Sequence, residues 1–185
     1  MEISANAALI IIDVQQGFDD STYWGTRNNR EAEPNIAKLV EHWQATGRPI
    51  VMVTHASAHP ESPLNPAHPG HALKPFLGSV EPALRISKTV NSSFYGTPDL
   101  DSWLNETGIE QVVLCGIQTN MCVETTARMA GNLGYQTVVA LDACHTFDLA
   151  GPDGTTLTAD ELSRATATNL HGGGFAAILA TNDLL

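Results

Sequence analysis

The chain is predicted to fold as an α/β three-layer sandwich, a mainly parallel six-stranded sheet with helices on both faces. Three observations carry that expectation: short aliphatic runs recur along the sequence, helical patterns fall between them, and a glycine closes each helical pattern. Runs that are apolar on both faces suit strands buried inside a parallel sheet. Their alternation with helices implies right-handed crossovers.

The first strand is Ala8 to Ile12, ended by Asp13, and an irregular segment from Gln15 to Glu33 follows it with Tyr23 and Trp24. A helix spans Asn35 to Thr46 and closes at Gly47; the second strand, Ile50 to Val53, runs into Thr54 and His55. From His55 to Pro82 the pattern is irregular again. There Pro60, Pro63, Pro66 and Pro69 recur at the three-residue period of a polyproline II helix, which predicts a stiff, extended arm. Segments of this length in a compact domain act as lids or interface arms. The third strand is Leu84 to Ile86, and Thr97 before Pro98 reads as the cap and first position of a helix ending at Glu106 and closed by Gly108. Next come a strand at Gln111 to Leu114, a helix at Met121 to Leu133 closed by Gly134, and a strand at Thr137 to Leu141. Thr158 with Glu161 three residues on is a capping box for a helix at Ala159 to Leu170, closed near Gly172, and Phe175 to Leu179 is the last strand. Residues 1–185 make one domain, without internal repeats or low-complexity tracts.

The 43% hydrophobic and 16% charged content is ordinary for a globular chain of 185 residues. A net charge of -11 and an isoelectric point near 4.8 argue against nucleic acid or an anionic membrane as partner, since both require a basic face. Small molecules and protein subunits remain. Three cysteines form no disulfide framework, and Cys115 lies within an apolar strand, so a reducing compartment is expected. The opening MEISANAALIIID lacks a basic region and reaches Asp13 too early for a signal peptide or a membrane span, which places the expectation in the cytoplasm.

The chemistry centres on Cys122, expected in the first turn of the helix that follows the Gln111 to Leu114 strand. Unpaired amide hydrogens and the positive end of the helix dipole favour a thiolate there. In an open parallel sheet, ligands bind beyond the carboxyl ends of the strands. Asp13 ends the first strand and Lys88 lies just past the third, so Asp13, Lys88 and Cys122 should converge on one edge. Taken singly, Asp13 is a turn cap, Lys88 a solvated amine and Cys122 core filler. Those readings leave the convergence unexplained.

Four segments, LIIIDVQ, ISKTVNSSFYGT, GIQTNMCVETTARMAGNLGY and VVALDACHT, resemble the isochorismatase-like cysteine hydrolases, a family that includes nicotinamidases, N-carbamoylsarcosine amidases, ureidoacrylate amidases and streptothricin hydrolase. The resemblance extends over nearly the whole chain. It implies a Rossmann-like fold, a triad of Asp13, Lys88 and Cys122, a cis peptide between Ile117 and Gln118, and an oxyanion hole from the backbone N–H groups of Gln118 and Cys122. The implied activity is cysteine-dependent hydrolysis of a small amide, carbamoyl compound or lactam through a thioester, by a homo-oligomer (dimer or tetramer). The competing readings are a metal-dependent nicotinamidase, an isochorismatase-type vinyl ether hydrolase, and a catalytically silent scaffold or redox sensor.

His55, His59, His68 and His71 raise the question of a metal. Nicotinamidases carry an Asp-x-His pair after the second strand, whereas this chain reads THASAHPES with no aspartate beside His55. No metal or other cofactor is therefore expected, and His55 is read as a polar contact in a substrate pocket together with Phe18, Trp24, Phe94 and Tyr95. Thr119 and Asn120 should shape the loop ahead of Cys122, Arg128 and Asp142 should be structural, and Cys144 and His145 lie on the same sheet edge without an assigned role.

Overall fold

A computed structural model describes residues 2–185. In chain order the elements are β1 (Ala8–Ile12), a short α1 (Ser21–Trp24), α2 (Ala32–Ala45), β2 (Ile50–His55), β3 (Leu84–Lys88), α3 (Leu100–Glu106), β4 (Gln111–Ile117), α4 (Glu124–Asn132), β5 (Gln136–His145), β6 (Leu149–Ala150), β7 (Thr156–Leu157), α5 (Ala159–Gly172) and β8 (Ala177–Leu179). Six strands form one parallel sheet in the order β3-β2-β1-β4-β5-β8. The chain builds outward from β1 to β3, returns to the centre at β4, and builds outward on the other side. Right-handed crossovers in opposite directions put α2 and α4 on opposite faces. The order reverses between β1 and β4, and the crevice beyond their carboxyl ends is where such a sheet opens.

Every residue of β1 and β4 is buried, as two-faced aliphatic runs require. Burial of their side chains is the main driving force of the fold. Trp43 of α2 is fully buried and donates its indole N–H to Ala7 O at 2.8 Å, which fixes that helix against the start of β1. Among the described residues, no helix is long and apolar enough to cross a membrane.

Several boundaries differ from the sequence reading. Strands β4 and β5 run on to Ile117 and His145 because the register shifts between Leu114 and Gly116, after which Gly116 pairs with Cys144 and Ile117 with His145. Gly116 takes φ +127°, and a Cβ there would collide with the carbonyl oxygen of Ile12. The close approach of these two backbones sets the spacing of the crevice just before Asp13. Thr97 is not a helix cap: its N–H and C=O bond Ser87 at 2.8 and 2.9 Å, the Thr97–Pro98 bond is cis, and Asp99 caps α3 by accepting from the Ser102 N–H at 2.7 Å. The two-way pairing with Ser87 holds Thr97 as an extended bridge residue, so the helix starts only beyond the proline. Phe175 closes α5 through its N–H to Leu170 O at 2.9 Å, and β8 starts only at Ala177. The β6–β7 hairpin, an exposed antiparallel pair, has no counterpart in the sequence reading.

The proline-rich arm is a chain of turns and not an extended polyproline helix. Ser62, Asn65, His68 and His71 each donate a backbone N–H to the carbonyl three residues earlier, at 2.8 to 3.1 Å. A proline occupies the second position of every turn, where its fixed φ is favourable. The residue ahead of each proline supplies a side-chain acceptor for the N–H two residues on: His59 Nδ1 for Glu61 (3.3 Å), Ser62 Oγ for Leu64 (3.2 Å), Asn65 Oδ1 for Ala67 (2.9 Å) and His68 Nδ1 for Gly70 (3.0 Å). A polyproline helix has no internal hydrogen bonds, so these contacts decide between the two conformations sharing the period.

The Gly116 position yields a stability prediction. Gly116→Ala must relieve both a backbone collision and an unfavourable positive φ, so it should destabilise the protein by about 3 kcal/mol or more. Chemical denaturation with tryptophan fluorescence as readout checks this, with wild-type-like stability as the contrary outcome.

Candidate active site

Asp13 sits where β1 leaves the sheet. Its backbone turns into the left-handed region (φ 54°), which aspartate tolerates better than most residues, and its N–H remains bonded to Val53 O at 2.9 Å. Lys88 is the last residue of β3, where Ile86 and Lys88 are buried while Arg85 and Ser87 are exposed. Strand alternation thus directs this lysine inward. Its Nζ lies 2.6 Å from Asp13 Oδ2, and both side chains have 0% exposure. Cys122 lies in a turn of π-helix at Thr119–Val123, ahead of α4, in which Gln118 O accepts from the N–H groups of Met121 (3.1 Å) and Val123 (3.2 Å). The Ile117–Gln118 peptide at the entrance to this turn is cis. Cys122 Sγ is 3.3 Å from Lys88 Nζ and the residue is 7% exposed. The structure therefore brings Asp13, Lys88 and Cys122 into direct contact.

Burial pushes the Asp13 carboxyl up even against the pull of Lys88. Burial pushes the Cys122 thiol up as well, the Asp13 charge adds to this, and Lys88 opposes it. The expectation of a resting thiolate is corrected accordingly. Asp13 and Lys88 already form a neutral buried pair, and a second anion would stand in low dielectric without its own counter-charge. The sulfur keeps its proton at rest and needs a base. Asp13 Oδ1 is buried without a hydrogen-bond partner, so one lone-pair site is open for that proton.

His55 and Gln15 complete the cluster. His55 Nδ1 is 3.3 Å from Lys88 Nζ. Gln15, fully buried, accepts from the His55 N–H through Oε1 (2.8 Å) and donates Nε2 to His55 O (3.2 Å) and His71 O (2.8 Å). Burial and Lys88 push the His55 ring below its ordinary pKa. Potential ligand atoms of Asp13, His55 and Cys122 lie within 4.8 Å of one another, the one such group of metal-ligating residues among the described residues. The Lys88 ammonium already stands among them with hydrogen bonds to all three. A divalent cation at the same point would meet a fixed positive charge, so the donor set does not fit a metal. His59 and His68 act as turn caps.

The proposed pocket residues divide. Phe18 is buried with its ring 4.8 Å from Trp24 and 6.1 Å from Phe147, and Trp24 donates Nε1 to Gly17 O at 2.8 Å. Phe94 is buried and stacks on Tyr135 at 5.9 Å. Phe18 and Phe94 are thus core residues. Tyr95 is 69% exposed and lines a cleft of about 550 Å³ with Val90, Asn91, Ser92, Thr125 and Met129. Asn91 Oδ1 lies 3.8 Å from Cys122 Sγ, which connects this cleft to the sulfur. Sequence reasoning missed both Gln15 and Asn91, although each falls inside a quoted segment.

Residues around the cluster are structural. Thr119 is buried, and Asn120 Oδ1 accepts from the Thr146 hydroxyl. Arg128 pairs with Glu124 at 2.7 Å and lies over the Phe175 ring, while Asp142 caps the chain at Thr181 N and Oγ1, both at 2.8 Å. Burial pushes the Cys144 thiol up to about 12, so that sulfur stays protonated. All three cysteines are free and buried.

Residues 7–170 match the family model for the isochorismatase domain. The chain is 40% identical over 178 residues to the isochorismatase family protein YrdC of Bacillus subtilis, covering 96% of this chain and 94% of that protein. It is 31% identical to a streptothricin hydrolase of Streptomyces noursei over 79% of this chain and 52% of that enzyme. A solved structure of an isochorismatase family protein from Chromobacterium violaceum superposes with a TM-score of 0.91 at 38% identity, covering 99% of this chain and 93% of that one.

A second ionic cluster ties the long segments together. Glu33 at the start of α2 is bonded by Arg27 at 2.7 and 2.8 Å and by Lys74 at 2.8 Å, and Lys74 also reaches Asp19 at 2.6 Å. One carboxylate thus joins the segment after β1 to the arm after β2. Buried His145 lies 3.7 Å from Glu33, and burial, with Arg27 adding to it, pushes its ring down to about 3, so it stays neutral. Burial alone would raise the Glu33 carboxyl, but Arg27 and Lys74 override it and hold it well below its usual 4.5. A depressed folded-state pKa gives stability that is complete above about 4.5 and is lost as the pH falls below it. Glu33→Gln should therefore cost about 2 to 3 kcal/mol at pH 7 and flatten the decline in stability below pH 4.5. Urea unfolding across pH 3 to 7 reads both effects; parallel curves for the two proteins would contradict the assignment.

Proposed function

The chain belongs to the isochorismatase family, and from that premise we propose that it is a metal-independent cysteine hydrolase of a small amide, carbamoyl compound or lactam. One observation carries the reading: a single buried ammonium, that of Lys88, bonds Asp13 and Cys122 together. A thiol, a base with an open oxygen and a cation in contact form the minimal set for nucleophilic acyl transfer.

In this reading Asp13 takes the S–H proton and the sulfur attacks the substrate carbonyl carbon. A C–S bond forms while the C=O π pair moves onto oxygen. The backbone N–H groups of Gln118 and Cys122 stabilise that oxyanion, a kind of contact worth roughly 3 kcal/mol. Collapse of the adduct breaks the C–N bond, and Asp13 returns its proton to the departing nitrogen. Asp13 then takes a proton from water, hydroxide attacks the thioester, and the sulfur leaves and recovers its proton from Asp13. Lys88 keeps acid and sulfur in register and offsets their repulsion as charge moves. Because the groups share protons, they titrate as a unit.

The thiol beside the base favours amide chemistry over vinyl ether cleavage, which has no use for a sulfur nucleophile. The ammonium among Asp13, His55 and Cys122 weighs against a metal-dependent nicotinamidase. The relationship to a streptothricin hydrolase supports hydrolysis as the reaction class. Assembly into a dimer or tetramer and residence in a reducing compartment belong to the same reading.

Cys122→Ala should lower turnover by about 10⁴-fold or more on any amide the enzyme accepts, while leaving thermal stability nearly unchanged. Screening small primary amides, ureido acids and cyclic amides, followed by mass spectrometry of acid-quenched mixtures, should reveal an acyl group on Cys122 alone. An alanine variant that still hydrolyses the substrate, or quenched enzyme without any adduct under slow turnover, would sink the proposal.

A further inference from the structure

We infer that His55 is a positioning residue: its neutral ring is the third acceptor that holds the Lys88 ammonium between Asp13 and Cys122. The inference rests on the reading of Lys88 as part of the reacting cluster. It reassigns His55 from substrate contact to a support of the triad.

An ammonium has three N–H donors and no acceptor. Lys88 Nζ has three side-chain acceptors around it, Asp13 Oδ2 at 2.6 Å, Cys122 Sγ at 3.3 Å and His55 Nδ1 at 3.3 Å. Donors and acceptors match one to one, which fixes the rotation of the ammonium about its last bond. Without the third acceptor the group can turn, and the hydrogen bond to sulfur is the weaker of the two that remain. For Nδ1 to accept, the ring must be neutral and carry its proton on Nε2. A doubly protonated ring would point a donor at a cation.

The surroundings enforce this state. The groups facing the ring are Lys88 from β3, Asp13 from β1, Cys122 from the π-helical turn and His71 from the arm; burial and Lys88 favour the neutral form against Asp13. Position is enforced equally. His55 and Lys88 are paired in register on adjacent strands, and Gln15 holds the N–H and C=O of His55 from one side chain. A residue meant only to touch substrate would not need both backbone groups clamped by a buried amide.

The experiment reads the sulfur directly and so does not depend on knowing the substrate. The rate of Cys122 alkylation by iodoacetamide is measured from pH 5 to 10 by peptide mass spectrometry, with Cys122→Ala as the blank. His55→Ala and the similarly shaped His55→Leu remove the acceptor, and His55→Asn places an amide oxygen near the position of Nδ1. The expected result is Cys122 alkylation about tenfold slower at each pH below the midpoint in the Ala and Leu variants, as a tenfold lower thiolate fraction dictates, and restored in the Asn variant. Thermal melting identifies any variant that has not folded, in which case the remaining acceptor-free variant carries the comparison. An unchanged alkylation rate without the acceptor, or an Asn variant as slow as Leu, overturns the inference. A normal alkylation pattern alongside a failed amide screen would overturn the proposed reaction and leave this inference standing.

Discussion

The buried ion pair between Lys88 and Asp13 is the constraint on which the rest of the structure depends. Both side chains are out of contact with water, and removing two charges from solvent is costly unless every polar atom finds a partner. The ammonium meets that condition with three acceptors. The carboxylate does not, since Oδ1 is left open. That single unsatisfied oxygen separates a reactive arrangement from a structural one: it is the part of a costly buried pair that the fold leaves available for a proton.

Sheet order makes the pair possible. Asp13 leaves a central strand, Lys88 ends the edge strand two places away, and a long aliphatic stem is needed to cross β2 and reach the acid. Cys122 arrives from the opposite half of the sheet, because β4 lies beside β1 on its other side. The close contact of Gly116 with Ile12 brings that half near enough for sulfur and ammonium to bond. The site is thus assembled at the reversal in strand order, from residues that are distant in sequence and each at or just beyond a strand's carboxyl end.

Much of this was legible in the residues themselves. Strands buried on both faces announce themselves as aliphatic runs, and the Thr158 capping box is readable because both partners lie within one turn. The convergence of Asp13, Lys88 and Cys122 followed from strand ends alone. What escaped depends on neighbours distant in sequence. The extension of β4 and β5 requires a register shift at Gly116, the displaced cap of α3 reflects pairing of Thr97 with Ser87, and Gln15 acts on His55 across 40 residues. The resting state of Cys122 was misjudged because a helix start was weighed without the depth of burial. The proline arm was misread for a different reason. A period of three fits both a polyproline helix and a train of turns, and the distinguishing signal was the acceptor residue before each proline.

That train of turns has a consequence for how far the arm's length can vary. Each turn carries its own proline and its own capping side chain, yet the turns are tied to one another and to the core: Leu64 is buried, its carbonyl accepts from the Ser57 N–H at 3.1 Å, and Gly17 and Gly70 lie against Pro63 with no room for a side chain. Inserting or deleting one triplet would shift those contacts and His71, whose carbonyl shares the Gln15 amide with His55. The length of the arm is thereby bound to the reacting groups, because the amide that anchors its end also anchors the histidine beside Lys88.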